Sequence, residues 1–290
     1  MKPDTDPEER QGIPLRAVVP NAVTALALCV GLTGVRFAIA GEWGSAVLAV
    51  VAAGVLDGMD GRIARALKGQ SRFGAELDSL SDVIAFGVAP AIILHLWVLQ
   101  TWPRIGWMFA LAYAACMALR LARFNARIDV EDQPHKSAGF LTGVPAPAGA
   151  GLLLLPIILW LASDQEWDWL RDRYFVAGWA AFIAFLVVSS LATFSWSSMR
   201  LRRNVRFEAI VVIVLIGGAL ISEPWWTLSA VAITYVLTIP LSISSYARVR
   251  RLRAAGSSPS PLSSAPEPAL AEGAPAPRPS ARRRSPPSST

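Results

Sequence analysis

Only two cysteines and two histidines occur in this chain of 290 residues. Cys29 and Cys116 both fall inside apolar segments, away from any other ligand-type Cys or His, which argues against a disulfide framework. They read as packing residues. His95 sits in an apolar segment with no acid nearby and His135 in a loop, so neither is assigned to a metal. Alternation of apolar and polar residues is also missing: the apolar segments are continuous, as in membrane helices and unlike the strands of a transmembrane barrel. The first 16 residues, Met1 to Arg16, mix acids and bases and lack the basic-then-apolar pattern of a cleaved signal; they read as a short retained tail. Residues 251–290 contain no large aromatic residue and consist mainly of Ser, Pro, Ala and Arg. Such a segment has too little apolar surface to offset the entropy of ordering and is expected to be disordered.

What is abundant is apolar surface: 53% of the residues are hydrophobic and the mean hydropathy is +0.44, outside the range of an ordinary soluble domain. The apolar segments are mostly about 20 residues long, enough to cross a hydrocarbon core of ~30 Å as helix. The expected fold is all-α, a polytopic bundle of about eight membrane helices at roughly 18–39, 43–64, 80–101, 104–124, 143–163, 174–195, 206–222 and 225–246. Trp43, Trp97, Trp102, Trp107, Trp160, Trp225 and Trp226 cluster near span ends, as interfacial anchors do.

Threading about eight spans puts Arg62, Arg65, Lys68, Arg72, Arg120, Arg123, Arg127, Lys136 and the tail arginines on one side, with Arg104, Arg171 and Arg173 on the other. That asymmetry predicts an inner or cell membrane protein with both termini cytoplasmic. The net charge of +6 is then mostly a matter of topology and of attraction to anionic membrane lipids, and no nucleic-acid partner is implied.

Four acids interrupt the apolar pattern: Asp57, Asp60, Asp78 and Asp82. A carboxylate at membrane depth is costly and calls for a compensating cation or a function. Asp57 and Asp60 are three apart, Asp78 and Asp82 four apart, so on helices each pair projects from one face. Two antiparallel helices can then aim four carboxylates at one point, where one or two divalent cations would keep them ionised. All-oxygen donors favour Mg2+ or Mn2+. Gly61 and Gly74 leave bare backbone beside the acids, Ala64 extends the small-residue surface, and Arg65 adds a cation suited to phosphate oxygens. An anionic ligand with a planar group fits that combination. A divalent-cation transporter, the reading from another functional class, explains the acids but not Gly61, Ala64, Arg65 and Gly74.

The string D-x-x-D-G-x-x-A-R, eight residues, then G-x-x-x-D-x-x-x-D, from Asp57 to Asp82, resembles the signature of the CDP-alcohol phosphatidyltransferases at every specified position. The resemblance implies a membrane-embedded helical enzyme, generally a homodimer, that displaces CMP from a CDP-linked lipid or alcohol with an acceptor hydroxyl and a divalent metal. It implies that Asp57, Asp60, Asp78 and Asp82 ligate or surround the metal, with Asp82 also the general base, and that Gly61, Ala64, Arg65 and Gly74 line the CDP site. Pro20-Asn21-Ala22-Val23-Thr24 resembles a short family element near the nucleotide, which would add Asn21 and Thr24; Asn21 reads equally well as a helix cap.

Residues after the motif, Asp78-Ser79-Leu80-Ser81-Asp82 followed by Phe86-Gly87-Val88-Ala89-Pro90, resemble the branch that uses L-serine as acceptor, as do Leu119 to Asn125 and Phe140 to Gly149. The expected substrates are CDP-diacylglycerol and L-serine; glycerol 3-phosphate or an inositol phosphate is the alternative acceptor. Arg120, Arg123 and Lys136 are candidates for the serine carboxylate and Asn125 for its amino or carboxylate group, while the same bases also serve as topology determinants. The resemblance covers about residues 17–195, giving a tail at 1–16, a catalytic core at 17–195, additional membrane helices at 196–250 and the tail at 251–290.

Overall fold

A computed structural model describes residues 15–126, 140–142, 144–189, 192–194 and 206–238. All of them belong to one compact unit, Met1–Arg248. Lys136, His135 and the tail 251–290 lie outside the described residues.

Among the described residues, the ordered elements are helices apart from two three-residue strands. Helices α1 (Leu15–Ile39) and α2 (Trp43–Ala66) form a hairpin whose turn contains Gly41 at a φ of +79°, a conformation that suits a residue without Cβ. α2 ends with Lys68 at a φ of +50°, where Lys68 N–H donates to the Arg65 carbonyl (3.3 Å) and Gly69 N–H to the Ala64 carbonyl (2.9 Å). This paired closure satisfies the last carbonyls of the helix. Three residues later Ser71 caps α3 (Arg72–Asp82), its Oγ accepting from Gly74 N–H at 3.0 Å. α3 continues through a π-helical turn (Val83–Val88) into α4 (Ala89–Trp97), so that 72–97 is one long helix. A short turn (Leu99–Thr101) leads to α5 (Pro103–Asn125).

Strand β1 (Phe140–Thr142) precedes α6 (Ala146–Leu153), α7 (Leu155–Ala162), α8 (Arg173–Val188), β2 (Ala192–Phe194) and α9 (Arg206–Ser222); a last helix, α10, spans 224–238. β1 and β2 pair antiparallel, with Phe140 opposite Phe194. The expectation of helix from residue 143 is therefore corrected at its start: Val144 precedes Pro145, and the residue before a proline is biased to extended backbone.

Among the described residues, three helices are long and apolar enough to cross a membrane: Val18–Ile39, Arg72–Trp97 and Pro103–Asn125. The expected fifth span is divided at Leu154 into two eight-residue helices. Pro156 has no N–H for the carbonyl of Leu152, and the Trp179 indole N–H donates to that oxygen instead, at 2.8 Å. The same device recurs at Pro90, four residues after Phe86: the Tyr113 hydroxyl donates to the Phe86 carbonyl at 3.1 Å. Both oxygens are thereby satisfied inside an apolar bundle, where an unpaired polar group is costly.

Small residues bring the helices together. A Cβ at Gly31 would lie 2.9 Å from the Ala85 Cβ, and one at Gly34 3.0 Å from the Ala46 carbonyl, so α1 packs closely on both α2 and the long α3–α4 helix. The core is filled by Phe86, Ile93, Leu94, Trp97, Tyr113, Met117, Leu152 to Leu154 and Ile157. Trp97 and Trp160 are core residues, 2% and 5% exposed and packed edge to face on each other, which corrects their reading as interfacial anchors. Cys29 is exposed, not packed, and Cys116 is half-buried; both are free thiols.

Candidate active site

The two acid pairs meet as their spacing predicts. One carboxylate oxygen from each of Asp57, Asp60 and Asp78 falls within 4.8 Å of the others, the first two from the end of α2 and the third from α3. The tight closure at Lys68 and Gly69 and the cap at Ser71 hold these helix ends side by side. Asp60 is buried, Asp57 and Asp78 half-buried. Asp82, one turn deeper than Asp78, is not part of that trio; its carboxyl lies against the carboxyl of Asp57. Two carboxyls in such contact need a proton or a cation between them.

The donor chemistry suits a hard divalent cation: all donors are carboxylate oxygens, gathered within 4.8 Å of one another. Asp57, Asp60 and Asp78 would hold such an ion, with Asp82 adjoining.

Beside the acids opens a cavity of about 240 Å³, lined on α1 by Pro20, Asn21 and Thr24, on α2 by Asp60, Gly61, Ala64 and Arg65, and on the turn and α3 by Gly69, Gln70, Ser71, Gly74, Ala75 and Asp78. All six residues expected on the nucleotide side, Asn21, Thr24, Gly61, Ala64, Arg65 and Gly74, thus line one space with two of the acids. Their individual situations differ. A Cβ on Gly61 would meet only the Arg65 guanidinium, at 3.7 Å, so its bare backbone opens the cavity. A Cβ on Gly74 would lie 2.7 Å from Asn21 Oδ1, so Gly74 is small because α1 approaches it there. Thr24 is 5% exposed and its hydroxyl lies 2.6 Å from Asp60 Oδ2, with the Pro20 carbonyl at 3.1 Å. The hydroxyl therefore orients an acid as well as lining the cavity.

Asp57 and Asp82 do not line that cavity. Asp82 faces Arg120 of α5 instead. Arg120 is half-buried, and its Nε–H is covered and has no hydrogen-bond partner. Arg123, its expected companion, is exposed and donates to the Val188 carbonyl at 3.0 Å, capping the end of α8. Asn125 donates from Nδ2 to Ser79 Oγ at 2.8 Å. The candidates for the serine group are thus split: all three described ones are on α5, but Arg120 and Asn125 are directed to the acid-bearing α3 and Arg123 to the end of α8, while Lys136 is outside the described residues. Ser71, Gln70 and Ser79 were not among the expected site residues. Ser71 had a signal, a serine three residues before a glycine at a helix start; Ser79 stood out in the stretch Asp78 to Asp82, but its partner, 46 residues away, could not be read from spacing.

Clustered acids on membrane helices, next to a glycine-opened cavity bearing Arg65, define a class of membrane protein able to hold a divalent cation beside an anionic ligand. The chain belongs to the CDP-alcohol phosphatidyltransferase family, whose model matches residues 17–189; a second model, CDP-alcohol phosphatidyltransferase 2, matches residues 205–240. It is 36% identical to the CDP-diacylglycerol--serine O-phosphatidyltransferase of Mycobacterium tuberculosis over 239 residues, 82% of each chain. It is 33% identical to the protein of the same description from Helicobacter pylori (68% of this chain, 79% of the relative), and 36% identical to that of Bacillus subtilis (49% and 79%).

Proposed function

We propose that this chain transfers the phosphatidyl group of CDP-diacylglycerol to the hydroxyl of L-serine and releases CMP. The observation that carries the reading is the placement of Asp60 and Asp78 in the wall of a cavity whose other residues suit a nucleotide diphosphate: Asn21, Gly61, Ala64, Arg65 and Gly74. Serine as acceptor is supported by the relatives, which carry that activity in their descriptions across most of their length.

In this reading the CDP group occupies the cavity, with Arg65 on its phosphate oxygens and Gly61 giving it room. A bound Mg2+ or Mn2+ would supply charge neutralisation at the diphosphate. Asp57, Asp60 and Asp78 would hold that ion, and Thr24 orients Asp60. The acceptor approaches from the Asp82 side, where Asp82 takes its hydroxyl proton as the oxygen–phosphorus bond forms and the bond to CMP breaks. Arg120 holds the acceptor carboxylate. The eight-span topology with the site and both termini cytoplasmic, and assembly as a homodimer, complete the proposal; the charge asymmetry supports the orientation.

An acceptor screen with labelled CDP-diacylglycerol and Mg2+ or Mn2+ tests it. Phosphatidylserine forms from L-serine and no lipid product forms from glycerol 3-phosphate or inositol phosphate; a product from either of those alone would move the acceptor assignment. Asp82→Asn abolishes CMP release while CDP-diacylglycerol binding survives, and near-normal turnover would remove Asp82 from the base role.

A further inference from the structure

Ser79 and Asn125 form a contact whose polarity is fixed by the hydrogens available. A serine hydroxyl has one hydrogen, and that of Ser79 points to the Ala75 carbonyl, 3.1 Å away on the preceding turn of α3. At 2.8 Å from Asn125 Nδ2, the Ser79 oxygen is therefore the acceptor. The amide of Asn125 thus presents its NH2 to Ser79, and its carbonyl oxygen accepts no hydrogen bond among the described residues.

The pair is one rung of an antiparallel ladder between the long helix 72–97 and α5. Phe86 bonds Tyr113, Asp82 faces Arg120, and Ser79 bonds Asn125, each step toward the end of α5 matching a step toward the start of α3. At ~1.5 Å rise per residue, Asn125 stands ~7.5 Å along α5 from Arg120 and Ser79 ~4.5 Å along α3 from Asp82. A small zwitterion with one hydroxyl has a group to offer each of these residues. Its carboxylate meets Arg120, whose Nε–H has no partner; its hydroxyl meets Asp82; its ammonium meets an oxygen.

We propose that the Ser79–Asn125 hydrogen bond is a positioning pair for the acceptor, turning the Asn125 carbonyl oxygen toward the ammonium of the amino acid. The inference rests on the serine-transfer reading above and deepens it. Ser79 acts only through Asn125; Asn125 is the residue that touches the acceptor. An ammonium has three donors and no acceptor, so it binds an amide oxygen and not an amide NH2. Without the Ser79 oxygen the amide loses the contact that orders it, and its carbonyl oxygen is no longer held for the ammonium.

The test is steady-state kinetics on the full-length enzyme in detergent or vesicles with Ser79→Ala, Asn125→Leu and the double variant, each checked for thermal unfolding. Each single change is expected to raise the KM for L-serine about tenfold, with the KM for CDP-diacylglycerol within about twofold of the parent, a hydrogen bond to a charged group being of that order. The double variant is expected to match Asn125→Leu, because the two act as one unit. The inhibition constant of 3-hydroxypropionate, which lacks the ammonium, stays unchanged by Ser79→Ala. Equal effects on both substrates, additive effects in the double variant, or an equal loss for 3-hydroxypropionate would overturn the pair as an acceptor device. A parent enzyme that releases no CMP with L-serine would instead overturn the serine reading itself.

Discussion

Thr24 brings its hydroxyl to 2.6 Å from an Asp60 oxygen in a position closed to solvent, so the rotamer of one acid is set by a neighbour on another helix. A hydrogen bond to a carboxylate contributes about 1.5–3 kcal/mol, and a tenfold change in binding corresponds to about 1.4 kcal/mol. Thr24→Val keeps the shape and removes the bond. It is expected to raise the Mn2+ concentration for half-maximal binding about tenfold, measured by direct titration with the paramagnetic ion; unchanged affinity would leave Thr24 as a cavity wall only. The sequence marked Thr24 as part of a short element resembling one near the nucleotide, but a partner 36 residues away on α2 cannot be read from spacing within α1. Gly61 and Gly74 make the same point. Both are visible as glycines at fixed offsets from the acids, yet one opens a cavity and the other admits Asn21, a distinction that needs the neighbouring helix.

Among the elements, the long helix 72–97 changes character immediately after Asp82, where its α-helical turn gives way to the π turn Val83–Val88. Such turns often accompany functional sites because they redirect side chains without ending the helix. Pro90 frees a carbonyl in this stretch and Tyr113 closes it; Pro156 frees another and Trp179 closes that one. Tyr113→Phe and Trp179→Phe each leave a buried carbonyl unpaired, at a cost of about 1–3 kcal/mol. Both are expected to lower the thermal midpoint in detergent by several degrees. Only Tyr113→Phe also lowers turnover, since Phe86 lies one turn beyond Asp82; equal loss of turnover in both variants would mean that the effect is global. The pairing of the acids on two helices was legible because the D-x-x-D and D-x-x-x-D spacings are local, but the start of the second helix was not: expected near 80, it begins at Arg72, where Ser71 caps it. The division at Leu154 and the short strands were not legible either. Continuous hydrophobicity from 143 to 163 hides a break that depends on Trp179, and the pairing of β1 with β2 joins segments some 50 residues apart.

For the whole molecule, composition and charge already specified a helical membrane protein, and the apolar helices Val18–Ile39, Arg72–Trp97 and Pro103–Asn125 agree with it. The proposed orientation predicts opposite accessibility for the two turns of the central helices. In a background with Cys29 and Cys116 replaced by alanine, a cysteine at Gln70 reacts with a membrane-impermeant maleimide only from the cytoplasmic side, and one at Gln100 only from the other side; reversed labelling would invert the topology. The central claim concerns chemistry at the acid cluster, and it is tested most directly by CMP release from CDP-diacylglycerol in vesicles containing the purified chain. The account predicts release that depends on L-serine, stops when divalent ions are chelated, returns on adding Mg2+ or Mn2+, and is absent in Asp60→Asn. Divalent-ion flux with no CMP release, or CMP release that persists without divalent ions, would contradict it.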